Sequence, residues 1–257
     1  MSPTTTVPAS RNTLEILRYV ASRPGPVGAA ALARDLGIPR STTYQLLAEL
    51  ERADFVTHYP EDRTYGLGVA SFEIGSAYLR HEPLERLSRP VLRRLVDETG
   101  QTAHLGILQG NETLYLLKEQ PAHPLTLITD IGVRLPAHLT ASGRSMLTHV
   151  SPAQMRALFP DSDAFQHRTE RGPSSLRELR SLLREQRLNG WSYEDGEVTP
   201  GYASVAACAF DHGSRPMAAI SITFADDISL AKRNRLGAAV VAAAEAVTMR
   251  VSGRRPT

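Results

Sequence analysis

The chain has 257 residues, 42% hydrophobic and 22% charged, a composition that excludes wholesale disorder and a fibrous repeat. Its length exceeds the usual size of one core and predicts two domains of roughly 80 and 170 residues. A formal net charge of +2 does not by itself point to nucleic acid, so any DNA-facing field must come from arginines placed together on one surface.

Ser10 is positioned to cap a first helix whose apolar residues Leu14, Ile16, Leu17, Val20 and Ala21 approximate one face, and Pro24-Gly25-Pro26 stops it. A second helix is predicted over 28–36, with Gly37 where a helix C-terminus needs a residue tolerant of positive φ. Pro39 opens a third helix at its first turn, with Tyr44, Leu46, Leu47 and Leu50 facing inward. Residues 55–67 read as a two-stranded hairpin with a polar tip at Pro60-Glu61-Asp62-Arg63. Helices over 69–80 and 84–98 follow.

The second half alternates with period two over 104–108 and 113–117 around Gly110-Asn111, a hairpin signal, and Leu125-Thr126-Leu127-Ile128 reads as a further strand. Helices are expected over 140–148, 152–158 and 176–189, strands over 204–210 and 218–224 around the turn Asp211-His212-Gly213, and a last helix over 229–250. Strands near both ends with helices between describe an α+β domain. The resulting division is a flexible N-terminus (1–9), a winged helix-turn-helix (10–68), a linker helix (69–82), an α+β domain (83–251) and a flexible C-terminus (252–257).

Two constellations carry chemistry. A helix, the Gly37 turn and a helix opened by Arg40, Ser41, Thr42, Thr43 and Gln45 form the layout that enters a major groove, where the small polar side chains reach base edges or phosphates and Arg40 pairs with phosphate or guanine. Arg63 on the wing is placed for a backbone or minor-groove contact. The same helix spacing also occurs in winged helices that serve only protein contacts. The second constellation is the run 132–147, a loop leading into a helix whose free N–H groups suit an anion, together with 190–201 and the two late strands. On those strands Ser204, Ala206 and Cys208 share one face, as do Ser221 and Thr223. Such faces line a cavity, or equally pack tightly against Ala-rich helices.

Enzyme readings find little support. Gly143-Arg144-Ser145-Met146-Leu147 lacks the second glycine of a nucleophile elbow, and no Ser-x-x-Lys occurs. Cys208 is the only cysteine. It lies in an apolar run expected to bury an inert thiol, it cannot form an internal disulfide, and it fits a reduced, cytoplasmic setting. His104, His123, His138 and His149 lack metal-ligand spacing, and no cofactor is expected. Residues 1–8 lack the features of a signal peptide. The apolar run 237–247 is too short for a bilayer core of about 30 Å, so no membrane partner is expected.

With the hallmarks at 36–42, 65–68, 135–144 and 190–201, the chain resembles the IclR family of bacterial transcriptional regulators from about Thr13 to Val247. The resemblance implies a winged helix-turn-helix followed by an effector-binding domain of GAF-like α+β fold, working as a homodimer or dimer of dimers on a double-stranded DNA operator. It further implies that Ala141 and Ser142 offer backbone N–H groups to a small-molecule effector, and that Leu135, Glu194, Tyr202, Ser204, Ser221 and Thr223 line its pocket. A carboxylated or aromatic metabolite suits those groups. Gln45 stands where the family often carries an arginine.

Overall fold

A computed structural model describes residues 7–81 and 83–256. Most of the N-terminal segment expected to be flexible, residues 1–6, lies outside the described residues. The chain forms two compact units, Met1–Glu82 and Pro83–Thr257.

The first unit begins with α1 (Pro8–Ala21). Pro8 occupies its first turn, where a missing N–H costs nothing, and no side chain caps it. Ser10 is therefore inside the helix and not its cap, contrary to expectation. The two-residue strand β1 (Val27–Gly28) precedes α2 (Ala29–Leu36), and Gly37 closes α2 at φ 65°, a left-handed conformation that a Cβ would disfavour. Then come α3 (Arg40–Arg52), β2 (Val56–Tyr59), β3 (Thr64–Leu67) and α4 (Val69–His81). The wing is a three-stranded sheet in the order β1-β3-β2, one strand more than the sequence suggested.

Ile16 and Val20 of α1, Leu32 of α2, and Leu47 and Leu50 of α3 meet Val56 and Tyr65 in one core. Each such aliphatic side chain contributes about 1.5–3 kcal/mol by leaving water. The inward face of α3 is Thr43, Leu47 and Leu50, an i, i+4, i+7 stripe. Tyr44, expected inside, is 55% exposed.

The second unit contains α5 (Pro83–Thr99), β4 (Thr102–Gln109), β5 (Glu112–Glu119), β6 (Arg134–Pro136), α6 (Ala141–Leu147), α7 (Pro152–Leu158), α8 (Leu176–Asn189), β7 (Ser192–Asp195), β8 (Tyr202–Phe210), β9 (Pro216–Ala225) and α9 (Leu230–Arg250). Its strands form one antiparallel sheet in the order β6-β5-β4-β9-β8-β7. Because side chains alternate along a strand, Ala203, Val205, Ala207 and Ala209 turn one way, into a core with Leu92 and Leu95 of α5 and Val240, Ala244 and Val247 of α9. Cys208 and Ala219 turn the other way, against Met146 of α6. Helices thus cover both faces of the sheet.

The strand expected over 125–128 is absent. That segment is irregular, and the edge of β5 is completed by β6, with Thr113 opposite Leu135. A proline at Pro136 is tolerated because β6 is the edge strand. The C-terminal segment expected to be loose is tied back: Gly253 N–H donates to Thr248 O (2.7 Å), Arg254 N–H to Asp211 O (3.0 Å), and Arg255 pairs with Glu245 (3.2 Å).

Candidate functional site

Arg40, Ser41 and Gln45 are exposed on the first turns of α3, and Thr42 is half-buried beside them. Arg40 enters no ion pair among the described residues, so its charge is free for an outside partner. Thr43 is fully buried, and its hydroxyl donates to Pro39 O at 3.1 Å. It is a packing residue, which corrects its assignment to the DNA-reading set. The exposed Tyr44 takes its place on the outer face. Arg63 projects from the wing tip with φ 53° and is exposed.

In the second unit a pocket lies between the sheet and the opening turn of α6. Its walls include Leu135, Ala141, Ser142, Glu194, Tyr202, Ser204 and Thr223, seven of the eight residues expected there. Ser221 is not among them: it sits one step along the same face, buried between His104 and Ala206 in the sheet register. The sequence reading missed Tyr115 from β5, Thr140, residues 126–129, and Val198 and Thr199. The enclosed volume is small, about 30 Å³, room for little more than a water.

The polar groups of this pocket form a chain. Thr223 Oγ1 and Ser204 Oγ are 3.0 Å apart, and Ser204 Oγ donates to Glu194 Oε1 at 2.8 Å. Glu194 is 3% exposed, and its second oxygen, like Ser142 Oγ, has no partner among the described residues. Burial pushes the Glu194 carboxyl up to about 8, with the nearby Glu197 carboxylate acting in the same direction and the Ser204 hydrogen bond and Arg144 opposing. Burial likewise raises the Tyr115 phenol to about 12. His104 is held neutral, its pKa lowered to about 4 by burial and by Lys118, and its Nε2 lies 3.0 Å from Thr129 Oγ1. That bond fixes the irregular segment that closes the pocket.

Arg144 holds the pocket's far wall together. It is 1% exposed, and its guanidinium donates to His138 O (2.8 Å), Tyr193 O (2.7 Å) and Glu197 Oε1 (3.0 Å). One buried cation therefore joins α6, the loop before it, β7 and the loop after β7. Gly143 lets α6 approach: a Cβ there would lie 2.2 Å from Ala137 O. Thr140 Oγ1 accepts from Gly143 N–H at 2.9 Å, capping the helix. Among the described residues no cluster of three His, Cys, Asp or Glu could hold a metal ion, and no helix is long and apolar enough to cross a membrane.

Residues 11–60 match the IclR helix-turn-helix domain, and residues 76–249 match the C-terminal domain of bacterial IclR transcriptional regulators. The chain belongs to the IclR family of transcriptional regulators. It is 32% identical to the transcriptional repressor IclR of Escherichia coli over 249 residues, which span 94% of this chain and 89% of the relative. The fold resembles that of an IclR transcriptional regulator from Alicyclobacillus acidocaldarius (TM-score 0.83, 23% identity, 96% of this chain and 100% of that one). It also resembles an IclR homologue from Microbacterium hydrocarbonoxydans complexed with 4-hydroxybenzoate (TM-score 0.78, 19% identity, 95% and 99%). The fold is thus an N-terminal helix-turn-helix unit with a C-terminal α+β domain, and the family's role is gene regulation on DNA, not catalysis.

Proposed function

We propose that this regulator's hold on its operator is modulated by a small carboxylated or aromatic metabolite bound in the pocket around Glu194. The observation that carries the reading is a cavity with two buried polar atoms lacking partners, Glu194 Oε2 and Ser142 Oγ. Unpartnered buried polar groups cost roughly 1–3 kcal/mol each, so a ligand that pairs with them is favoured. The N–H groups of Ala141 and Ser142 serve an effector carboxylate, Leu135 and Tyr202 supply apolar contact, and Ser204 and Thr223 orient polar substituents. In this reading residues 10–68 bind DNA through Arg40, Ser41, Thr42, Gln45 and Arg63. Residues 69–82 link to an effector domain over 83–251.

Val69 and Phe72, one turn apart on α4, are 59% and 74% exposed, an apolar surface that supports assembly as a homodimer, alone or paired into a tetramer. Two recognition helices then reach successive major grooves, and an effector acts by favouring one arrangement over another.

A mobility shift on DNA flanking the gene tests this, with salt varied and organic acids added. Operator binding should weaken steeply with salt. Arg40→Ala should lower affinity and reduce the salt slope by about one, and one acid should change the shift. Unchanged binding by Arg40→Ala would overturn the recognition-helix assignment. Indifference to every carboxylated or aromatic acid would overturn the effector reading.

A further inference from the structure

A second cavity lies elsewhere in the Pro83–Thr257 unit. Strand β7 begins at Ser192, opposite Ala206, so from Ala207 to Phe210 β8 is paired with β9 along one edge and has no strand along the other. The chain fills this open edge with α9, the residues after α6 and the tied-back segment at 253–256, and the filling is incomplete. An apolar chamber of about 310 Å³ is bounded by Ala207, Phe210, Val241 and Ala244. A polar chamber of about 140 Å³ is bounded by Gln186, Arg187, Trp191 and Ser192. His149, Cys208 and Arg255 line both, so the two chambers adjoin.

The polar chamber has unmet chemistry. Gln186 is 6% exposed. Its Nε2 donates to Tyr193 O at 2.7 Å, which fixes the amide orientation, because a carbonyl only accepts. Gln186 Oε1 is left buried with no donor among the described residues. Arg187 makes no ion pair among the described residues, and Arg255 has only a half-exposed one with Glu245. These two arginines, after burial itself, keep the His149 imidazole neutral. The chamber therefore presents positive charge beside an acceptor that lacks its donor, and it opens onto an apolar volume within the size range of small-molecule sites.

We propose that this two-chambered cavity is a second small-molecule site, separate from the pocket around Glu194, whose occupant is a carboxylate with an adjacent hydroxyl or amine and an apolar side chain. The carboxylate sits between Arg187 and Arg255, the hydroxyl or amine donates to Gln186 Oε1, and the side chain fills the space between β8 and α9. An acid without the donor leaves Gln186 unsatisfied, and a site with a buried polar group discriminates against such an analogue.

Trp191 is the only tryptophan in the chain and lines the polar chamber, so its emission reports on occupancy. The full chain is titrated with 2-hydroxyisocaproate, leucine and isocaproate, following Trp191 fluorescence and, in parallel, the heat of binding. The expected result is saturable binding of 2-hydroxyisocaproate or leucine, whichever carries the preferred donor, with isocaproate weaker by about tenfold or more. Arg187→Ala, a change at an exposed side chain, should weaken binding by about tenfold through loss of a charge-assisted contact. Ala244→Phe, which fills the apolar chamber, should abolish it. If Ala244→Phe fails to fold by circular dichroism, Arg187→Ala alone decides. No heat and no emission change with either donor-bearing acid up to its solubility limit would overturn the proposal. So would binding that ignores Arg187→Ala, or isocaproate binding equally well.

Discussion

Replacing Glu194 by glutamine should make the protein more stable at neutral and alkaline pH while changing little near pH 5. The carboxyl is 3% exposed and has one hydrogen-bonded oxygen and one bare one, and its pKa rises from 4.5 unfolded to about 8 folded. A carboxyl with a raised folded pKa holds its proton in the native state after the unfolded chain has released it. Its contribution is therefore fully present below about 4.5, is lost as pH climbs to about 8, and is constant above. The slope in that window is about 1.4 kcal/mol per pH unit, giving a ceiling of order 5 kcal/mol across it. Relaxation around the ionised carboxylate reduces that figure. Glutamine keeps an oxygen for the Ser204 hydroxyl and removes the titration. Urea unfolding followed by Trp191, at several pH values from about 5 to 8, should show the gap between Glu194→Gln and the parent widening by several kcal/mol as pH rises. A gap that stays constant with pH would show that Glu194 ionises freely in the folded protein and would refute the reasoning.

Other consequences follow from the same walls. Gly143→Ala places a Cβ 2.2 Å from Ala137 O and 2.4 Å from its Cα, a backbone clash that should cost about 2–3 kcal/mol or more in denaturant unfolding. Arg144→Met strands Glu197, whose carboxylate is largely buried, and should destabilise the unit by about 3–5 kcal/mol, visible as a lowered urea midpoint. Phe72→Asp puts a charge beside Val69 on the exposed surface of α4 proposed above to carry the dimer contact. By sedimentation it should shift the assembly toward smaller species without lowering the unfolding midpoint of the second unit.

Most elements were legible because their periodicities were undisturbed: the three short helices, the Gly110-Asn111 hairpin and the long last helix all appear where apolar spacing places them. The failures have local causes. Leu125 to Ile128 carry strand-like residues, but a three-residue strand ending in Pro136 takes the edge of β5. On α3 the buried stripe starts at a threonine whose hydroxyl bonds back to Pro39 O. A search for apolar residues therefore shifts the stripe to Tyr44 and assigns Thr43 to DNA. In the pocket, Ser221 and Thr223 share a face, yet only Thr223, which pairs with Ser204, reaches the cavity. Alternation gives the face of a strand but not how far along it a cavity extends. Tyr115 and residues 126–129 were invisible for another reason: they come from β5 and from an irregular segment, and only the tertiary fold brings them to Glu194.

The segment over the pocket also bears on the affinity of the proposed effector site. With about 30 Å³ enclosed, the effector site proposed above requires residues 126–129 to stand away from the sheet when a metabolite enters, and the bond from Thr129 to the neutral His104 opposes that movement. Apparent affinity is then the intrinsic affinity scaled by the fraction of molecules that are open at a given moment. On that proposal, sensitivity to the signal is set partly at a threonine–histidine contact, so the concentration at which a gene responds would drift through substitutions there while the recognition chemistry stays the same.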